Sequence, residues 1–137
     1  MKIDMPNYDE RETIGTQIII HPWDTWSMDH TLSLIILPML KQLKQTQHGA
    51  PAVDYEDVPE ELHPFSDEIT HRETDKNYFK RWEYVLDEMI YAFDCKANKD
   101  EVYMRFDTSD KESMDKEQNR ISNGFRLFGK YYEGLWD

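Results

Sequence analysis

The chain has 137 residues with 28 acidic and 16 basic side chains, a formal net charge of −12 and a mean hydropathy of −0.84. This length suits one domain, and a hydrophobic content of 39% with 13% aromatics supplies enough large apolar side chains for a core without metal or disulfide support. Because such a charge repels phosphate backbones, direct nucleic-acid binding is disfavoured, and a partner with a basic surface is the more compatible alternative.

The cysteine count and the apolar stretches indicate the compartment. The single Cys95 excludes an internal disulfide, and the first residues lack the basic and apolar regions of a secretory signal. The longest dense apolar stretch, 32–40, is too short to span a bilayer. We therefore expect a cytoplasmic protein with no membrane role.

The amino-terminal part is predicted to be an arm followed by a short strand. Residues 1–13 are polar and show no helical period, whereas 14–20 contain an apolar run. Another alternating run, 101–106, is the expected partner of that strand in a two-stranded β element.

A first helix is predicted to begin after Pro22, with Asp24, Thr25 or Ser27 as its cap. Pro38 lies inside it and removes one backbone amide, so a kink or a break is expected there. Burial on most sides is expected because the apolar residues follow the helical spacing on one face and also occupy its flank. They are Leu32, Ile35, Ile36, Met39, Leu40 and Leu43, with Leu34 and Leu37 on the flank.

A long acidic connection is predicted over 49–76, where glycine and prolines accompany many acids and little helical period remains. Its scattered apolar residues indicate that it packs in part, and connections of this length are often functional. A second helix follows, with a cap at Asp75 and an end at 96–99. Its apolar stripe contains Phe79, Trp82, Val85, Leu86, Met89, Ile90 and Phe93.

A third helix is predicted after a capping box formed by Ser109 and Glu112. Gly124 and Gly129 each cost roughly 1 kcal/mol of helix stability against Ala, so we expect close packing there to justify them. The apolar stripe is strongly aromatic and contains Ile121, Phe125, Phe128, Tyr132 and Leu135, with Tyr131 and Trp136 alongside.

These elements predict one mainly α domain over 1–137, in which three long amphipathic helices pack as a small bundle, with or without a short two-stranded β element. Three apolar stripes need burial, and joining them is the simplest way to remove them from water. The stripe of the second helix is therefore expected to pack between the other two helices. The predicted contacts join Trp82, Leu86, Met89 and Phe93 to Leu32, Ile36 and Leu40 on one side and to Phe125, Phe128 and Tyr132 on the other.

Motifs for catalysis are absent from the sequence. It contains no glycine-rich phosphate loop, nucleophile elbow, paired-cysteine ligand pattern or zinc-protease motif, so no catalytic residue, metal or cofactor is assigned. The best catalytic fragments are Asp29 with His30 and Asp87 with Glu88, because carboxylates beside imidazole can share protons or hold a divalent ion. The simpler interpretation gives Asp29 a role at a helix amino terminus and places Asp87 and Glu88 in solvent.

Two sets of residues are candidates for binding. Exposed tyrosine and tryptophan are typical of protein contact sites, and concentrated acids attract a basic partner surface. Cations near a helix amino terminus attract anions. For the cations, pairing with neighbouring acids on a solvated face is the competing interpretation. The protein-interface candidates are Tyr131, Tyr132, Trp136, Asp54, Glu56, Asp57, Glu60 and Glu61. The anion-binding candidates are Lys76, Lys80, Arg81, Arg126 and Lys130.

Three segments carry a resemblance to other proteins. They read HPWDTWSMDH from residue 21 and continue to Lys44, RWEYVLDEMIYAF at 81–93, and NGFRLFGKYYEGLWD at 123–137. In these segments the chain resembles uncharacterised small proteins of tailed bacteriophages, especially marine and T4-like ones. The resemblance implies a viral protein that acts in the cytoplasm of an infected bacterial host.

Three functional hypotheses follow. The first is a non-enzymatic phage accessory protein that binds and modulates a host protein, supported by the concentrated acidity and the aromatic carboxyl end. The second is a protein that binds or sequesters a small ligand such as a nucleotide, with a pocket that homo-oligomerisation could build. The third, and weakest, is an enzyme that uses Asp29, His30, Asp87 and Glu88 with a divalent ion.

Overall fold

Three helices dominate the computed structural model, which describes residues 1–5, 15–65, 74–98 and 109–137. Helix α1 spans Met28–Thr46, α2 spans Tyr78–Ala97 and α3 spans Lys111–Lys130. Together with a two-stranded antiparallel sheet they confirm the predicted mainly α fold with a short β element. Among the described helices, none combines the length and the apolar character needed to cross a membrane.

The sheet pairs strand β1, Lys2–Asp4, with strand β2, Gln17–Ile19. The predicted strand at 14–20 therefore exists, but its observed neighbour lies within the segment that was interpreted as an arm. Residues 101–106, the expected partner, lie outside the described residues. Short 3₁₀ turns complete the architecture at Pro22–Thr25, Tyr55–Asp57, Glu60–Leu62 and Tyr132–Gly134.

Helix α1 directly follows its N-cap residue, Ser27, and continues through Pro38 without a break. Its buried residues are Ser33, Leu37 and Leu40. The expectation of burial on most sides is wrong, because much of the predicted apolar stripe faces solvent. The exposed members include Leu32 (40%), Leu34 (54%) and Met39 (64%).

Helix α2 is the central element, since it packs against both α1 and α3 while those two helices hardly contact each other. Its predicted stripe is confirmed in five positions, because Trp82, Val85, Leu86 and Met89 are fully buried and Phe93 nearly so. Phe79 is exposed instead, at the first turn of the helix. The core also includes Leu37, Leu40, Val53, Val58, Leu127 and Tyr131.

Helix α3 differs from its prediction in its cap and in part of its buried face. The side chain of Asp110, not Ser109, caps the helix by accepting a hydrogen bond from the amide of Glu112 at 3.1 Å. Leu127 is fully buried, whereas Tyr132 is 64% exposed. The helix ends at Lys130, so Tyr132 follows it in a 3₁₀ turn and leaves the helical face on which it was predicted.

The glycines of α3 have different surroundings. A Cβ added at Gly124 would lie 2.5 Å from the Cβ of Ala92 and would also clash with the carbonyl oxygen of Glu88. Close packing of α3 on α2 therefore explains Gly124, as predicted. Gly129 has no described atom within 4 Å of its added Cβ, so the same expectation is wrong there.

Candidate functional site

The acidic connection is held on α3 by a buried carboxylate, that of Asp57, whose side chain is 2% exposed. One carboxylate oxygen accepts a hydrogen bond from Arg126 at 2.6 Å, and the other accepts bonds from Lys130 at 2.6 Å and from the hydroxyl of Tyr131 at 2.7 Å. The Tyr131 hydroxyl also accepts a bond from the amide of Asp54 at 3.0 Å. The network thus joins residues separated by about half the chain.

The ionisation of this network follows from its hydrogen bonds. Burial alone raises the pKa of Asp57, but the bonds from Lys130, Tyr131 and Arg126 outweigh it and hold that pKa below its ordinary value. Burial and the bond to Asp57 raise the pKa of Tyr131 to about 12. At neutral pH the carboxylate is therefore charged and the tyrosine is neutral.

Three carboxylates, those of Asp54, Glu56 and Asp57, lie close enough together to suggest a cation site. The ammonium group of Lys130 is 2.7 Å from Asp54, 3.3 Å from Glu56 and 2.6 Å from Asp57. Its pKa is raised by the hydrogen bonds to Asp54 and Asp57. Lys130 therefore supplies the positive charge that these carboxylates require.

Arg81 is engaged in a second internal ion pair and is only 3% exposed. Its guanidinium group donates to both oxygens of Asp75, at 2.9 and 2.6 Å, and to the carbonyl of Leu62 at 3.0 Å. Lys76 lies 4.0 Å from the centre of the Phe65 ring. Of the five anion-binding candidates, Arg81, Arg126 and Lys130 thus hold carboxylates of this chain, Lys76 contacts an aromatic face, and Lys80 is exposed.

The four residues of the enzyme hypothesis lie in separate pairs. Asp29 is 3.2 Å from the ammonium group of Lys96, and Nδ1 of His30 is 3.0 Å from the Lys96 carbonyl oxygen. Asp87 accepts from Lys44 at 2.5 Å. Glu88 accepts two hydrogen bonds from Arg120, at 3.0 and 2.9 Å. The structure thus joins Asp29 and His30 through α2 but does not bring Asp87 and Glu88 to them.

An open apolar groove lies between α1 and the carboxyl-terminal segment, with a volume of about 890 Å³. Tyr132 and Trp136, two of the interface candidates, line it with 64% and 54% of their surface exposed. Tyr131, the third aromatic candidate, is buried against Trp82 instead. The remaining apolar lining consists of Ile36, Pro38, Met39, Leu40, Leu43, Phe128 and Leu135.

The carboxyl-terminal wall of the groove is tied to the turn that follows α1. Asp137 accepts a hydrogen bond from the amide of His48 at 2.5 Å, and this bond lowers the pKa of Asp137. A Cβ added at Gly134 would lie 2.8 Å from Pro51, so the two backbone segments approach closely. These contacts hold Trp136 beside α1 in a defined position.

The sequence pattern indicated one wall of the groove and misassigned the other. Tyr132 and Trp136 were interface candidates, but Ile36, Met39 and Leu43 were assigned to the core. The available signal was the number of apolar residues in α1, which exceeds what one buried face requires. No local pattern shows that α1 and α3 both pack on α2 while hardly contacting each other, which leaves this groove open.

Comparison of the chain with protein-family models, with curated proteins and with solved structures found no match.

Proposed function

We propose that this protein is a non-enzymatic bacteriophage accessory protein that binds a host protein through the groove between α1 and the carboxyl-terminal segment. Occupying a surface of the host protein is then sufficient to inhibit or redirect it in the cytoplasm of the infected cell. The groove is the observation that carries this proposal.

The composition of the groove suits a protein segment. Tyr132 and Trp136 are large side chains with apolar bodies and polar tips, the type that dominates binding energy at protein interfaces. The groove is open along α1, which fits an amphipathic helix that inserts apolar side chains at helical spacing. We therefore expect the host segment to present apolar anchors to this surface.

The remaining charge favours a host segment with basic flanks. Arg126 and Lys130 neutralise much of the 54–57 stretch, so its acids contribute little to the field that a partner meets. Glu60, Glu61 and Glu133 are exposed, and none of them forms a salt bridge within the described parts of the chain. With a net charge of −12, the protein attracts a basic partner over long range.

The test is quantitative binding to the host protein, first isolated by affinity capture from host lysate and then purified. We expect Trp136→Ala to weaken the complex by at least about tenfold, because an aromatic anchor residue contributes about 2 kcal/mol or more. Phe79→Ala is the matched control, since Phe79 is also an exposed aromatic side chain but lies on α2 outside the groove.

Two results contradict the proposal. One is that no host protein binds saturably after purification. The other is that Trp136→Ala and Tyr132→Ala leave the affinity as unchanged as Phe79→Ala does, while circular dichroism shows that all three variants are folded.

A further inference from the structure

The groove between α1 and the carboxyl-terminal segment has two ends of different polarity. Its wall on α1 runs from Ile36 to Thr46, which is about 15 Å at the rise of an α-helix. Two of its polar side chains, Gln42 and Thr46, lie near the carboxyl-terminal end of α1. The third, Asp137, lies at the same end, because it contacts His48 just beyond α1. A ligand that fills the groove therefore meets apolar and aromatic side chains along most of its length and polar groups at one end.

Asp137 is the one acid or base among the described residues that line the groove. Its carboxylate accepts a hydrogen bond from the amide of His48 at 2.5 Å, and Nδ1 of His48 lies 3.2 Å from each carboxylate oxygen. The bond from the amide lowers the pKa of Asp137, so this side chain is charged at neutral pH. A carboxylate has about four acceptor sites, and the side chain of Asp137 remains 34% exposed. It can therefore bind a further donor that enters the groove.

The carboxyl-terminal end of α1 adds to the negative charge at this end of the groove. The last four carbonyl groups of a helix have no amide partner within the helix, and they give its terminus a partial negative charge. Lys44, the basic residue of the last turn, lies 2.5 Å from a carboxylate oxygen of Asp87, and neither residue lines the groove. Within the described parts of the chain, no lysine or arginine pairs with Asp137. A cation supplied by the ligand is thus the complement of this end.

The position of the apolar contact beside Asp137 defines where that cation has to lie. Trp136 precedes Asp137 in the chain and lines the same end of the groove. Residues three or four apart on a helix are neighbours on one face, so an apolar side chain can pack on Trp136 while a cation one turn away reaches Asp137. The matching ligand is an amphipathic helix whose apolar stripe ends in a lysine or an arginine.

Given the host-binding groove proposed above, on which this inference rests, we propose that Asp137 selects the host segment by binding a lysine or arginine one helical turn beyond its last apolar anchor. The net charge of −12 attracts any basic segment over long range, whatever the order of its residues. Contact with Asp137 instead requires the cation at one position, and it disfavours segments with an acid there.

Two synthetic helical peptides of about 15 residues, long enough to span the groove, serve as probes. Both carry the same leucines at helical spacing, one lysine and one glutamine. In the end-lysine peptide, the lysine lies one turn beyond the last leucine and the glutamine lies in the middle of the polar face. In the mid-lysine peptide, these two residues are exchanged. The two peptides have the same composition and net charge, so long-range attraction does not distinguish them.

Fluorescence anisotropy with the labelled peptides and the full chain measures the preference. We expect the end-lysine peptide to bind about fivefold more tightly than the mid-lysine peptide, the effect of one partly exposed charge pair. Asp137→Asn should abolish this preference, because it removes the charge and keeps an oxygen that can accept from the amide of His48. Its affinity for the mid-lysine peptide should stay unchanged, which verifies that the apolar part of the groove is intact.

Glu133→Gln is the matched control. Glu133 is an exposed acid in the Tyr132–Gly134 turn and does not line the groove. This variant loses the same unit of charge, but it should keep the preference for the end-lysine peptide, because only the group that touches the lysine couples to its position.

Three outcomes overturn the assignment of Asp137: equal binding of the two peptides to the wild type, equal loss of the preference in Asp137→Asn and Glu133→Gln, or no binding of either peptide. Each of them leaves the host-binding groove to be decided by host capture and Trp136→Ala. If the peptides show the expected preference but no host protein binds, the assignment of Asp137 holds and the proposed function is wrong.

Discussion

Replacement of Gly124 by alanine tests the packing of α3 on α2 most directly, because the two helices approach each other at this residue. The added Cβ would lie 2.5 Å from the Cβ of Ala92 and would overlap the carbonyl oxygen of Glu88. The carbonyl belongs to the backbone of α2, so relief requires the helices to separate. We therefore expect Gly124→Ala to destabilise the protein.

The magnitude is a balance of two effects. Alanine improves the helix propensity of α3 by about 1 kcal/mol, whereas overpacking of a tight contact costs about 1 to 3 kcal/mol. Both clashing atoms are closer than ordinary contacts allow, which places the cost near the upper end. The expected net loss in the free energy of unfolding is about 1 to 2 kcal/mol.

Gly129→Ala is the control, because Gly129 lies in the same helix and its added Cβ meets no described atom within 4 Å. This variant should gain up to about 1 kcal/mol from helix propensity alone. Urea denaturation of both variants measures the difference. If both substitutions stabilise the protein equally, α3 does not pack on α2 at Gly124 and the reasoning is wrong.

Three further predictions concern the core and the buried network. Leu86→Ala should lower the free energy of unfolding by about 2 to 5 kcal/mol because Leu86 is fully buried. Glu83→Ala, on the exposed side of α2, should change it by less than about 0.5 kcal/mol. Equal effects of the two substitutions in chemical denaturation would show that α2 is not part of the core. Tyr131→Phe should cost about 1 to 2 kcal/mol because its hydroxyl makes two hydrogen bonds, and Tyr132→Phe, at an exposed position, serves as its control in the same assay. The pKa of Asp57 is lower in the folded than in the unfolded chain, so its stabilising contribution is complete above the ordinary pKa of 3.8 and is lost as the pH falls from there through the folded-state pKa. Asp57→Asn should therefore flatten this part of a plot of stability against pH. An unchanged slope would show that Asp57 does not contribute to the pH dependence.

The buried network illustrates how far sequence patterns reach. Asp54, Glu56 and Asp57 were singled out as acids that a partner could meet, and Arg126 and Lys130 as cations that an anion could meet. The structure pairs the two groups with each other. Residue types indicated that these side chains bind charge, but Lys130 lies 73 residues from Asp57, and no local pattern specifies a partner at that separation.

Local patterns specified much of the helical architecture of this protein. The periodicity of α2 identified Trp82, Val85, Leu86 and Met89 as buried residues because one apolar stripe on a helix can face only one side. Helix α1 has apolar residues around most of its surface, so its period could not show which side faces the core. Only the packing of α1 against α2 decided that Leu37 and Leu40 are inside and Leu32 and Met39 outside. Helix formation depends mainly on neighbouring residues, whereas burial and ion pairing depend on contacts between distant parts of the chain, and these exist only once the helices have packed.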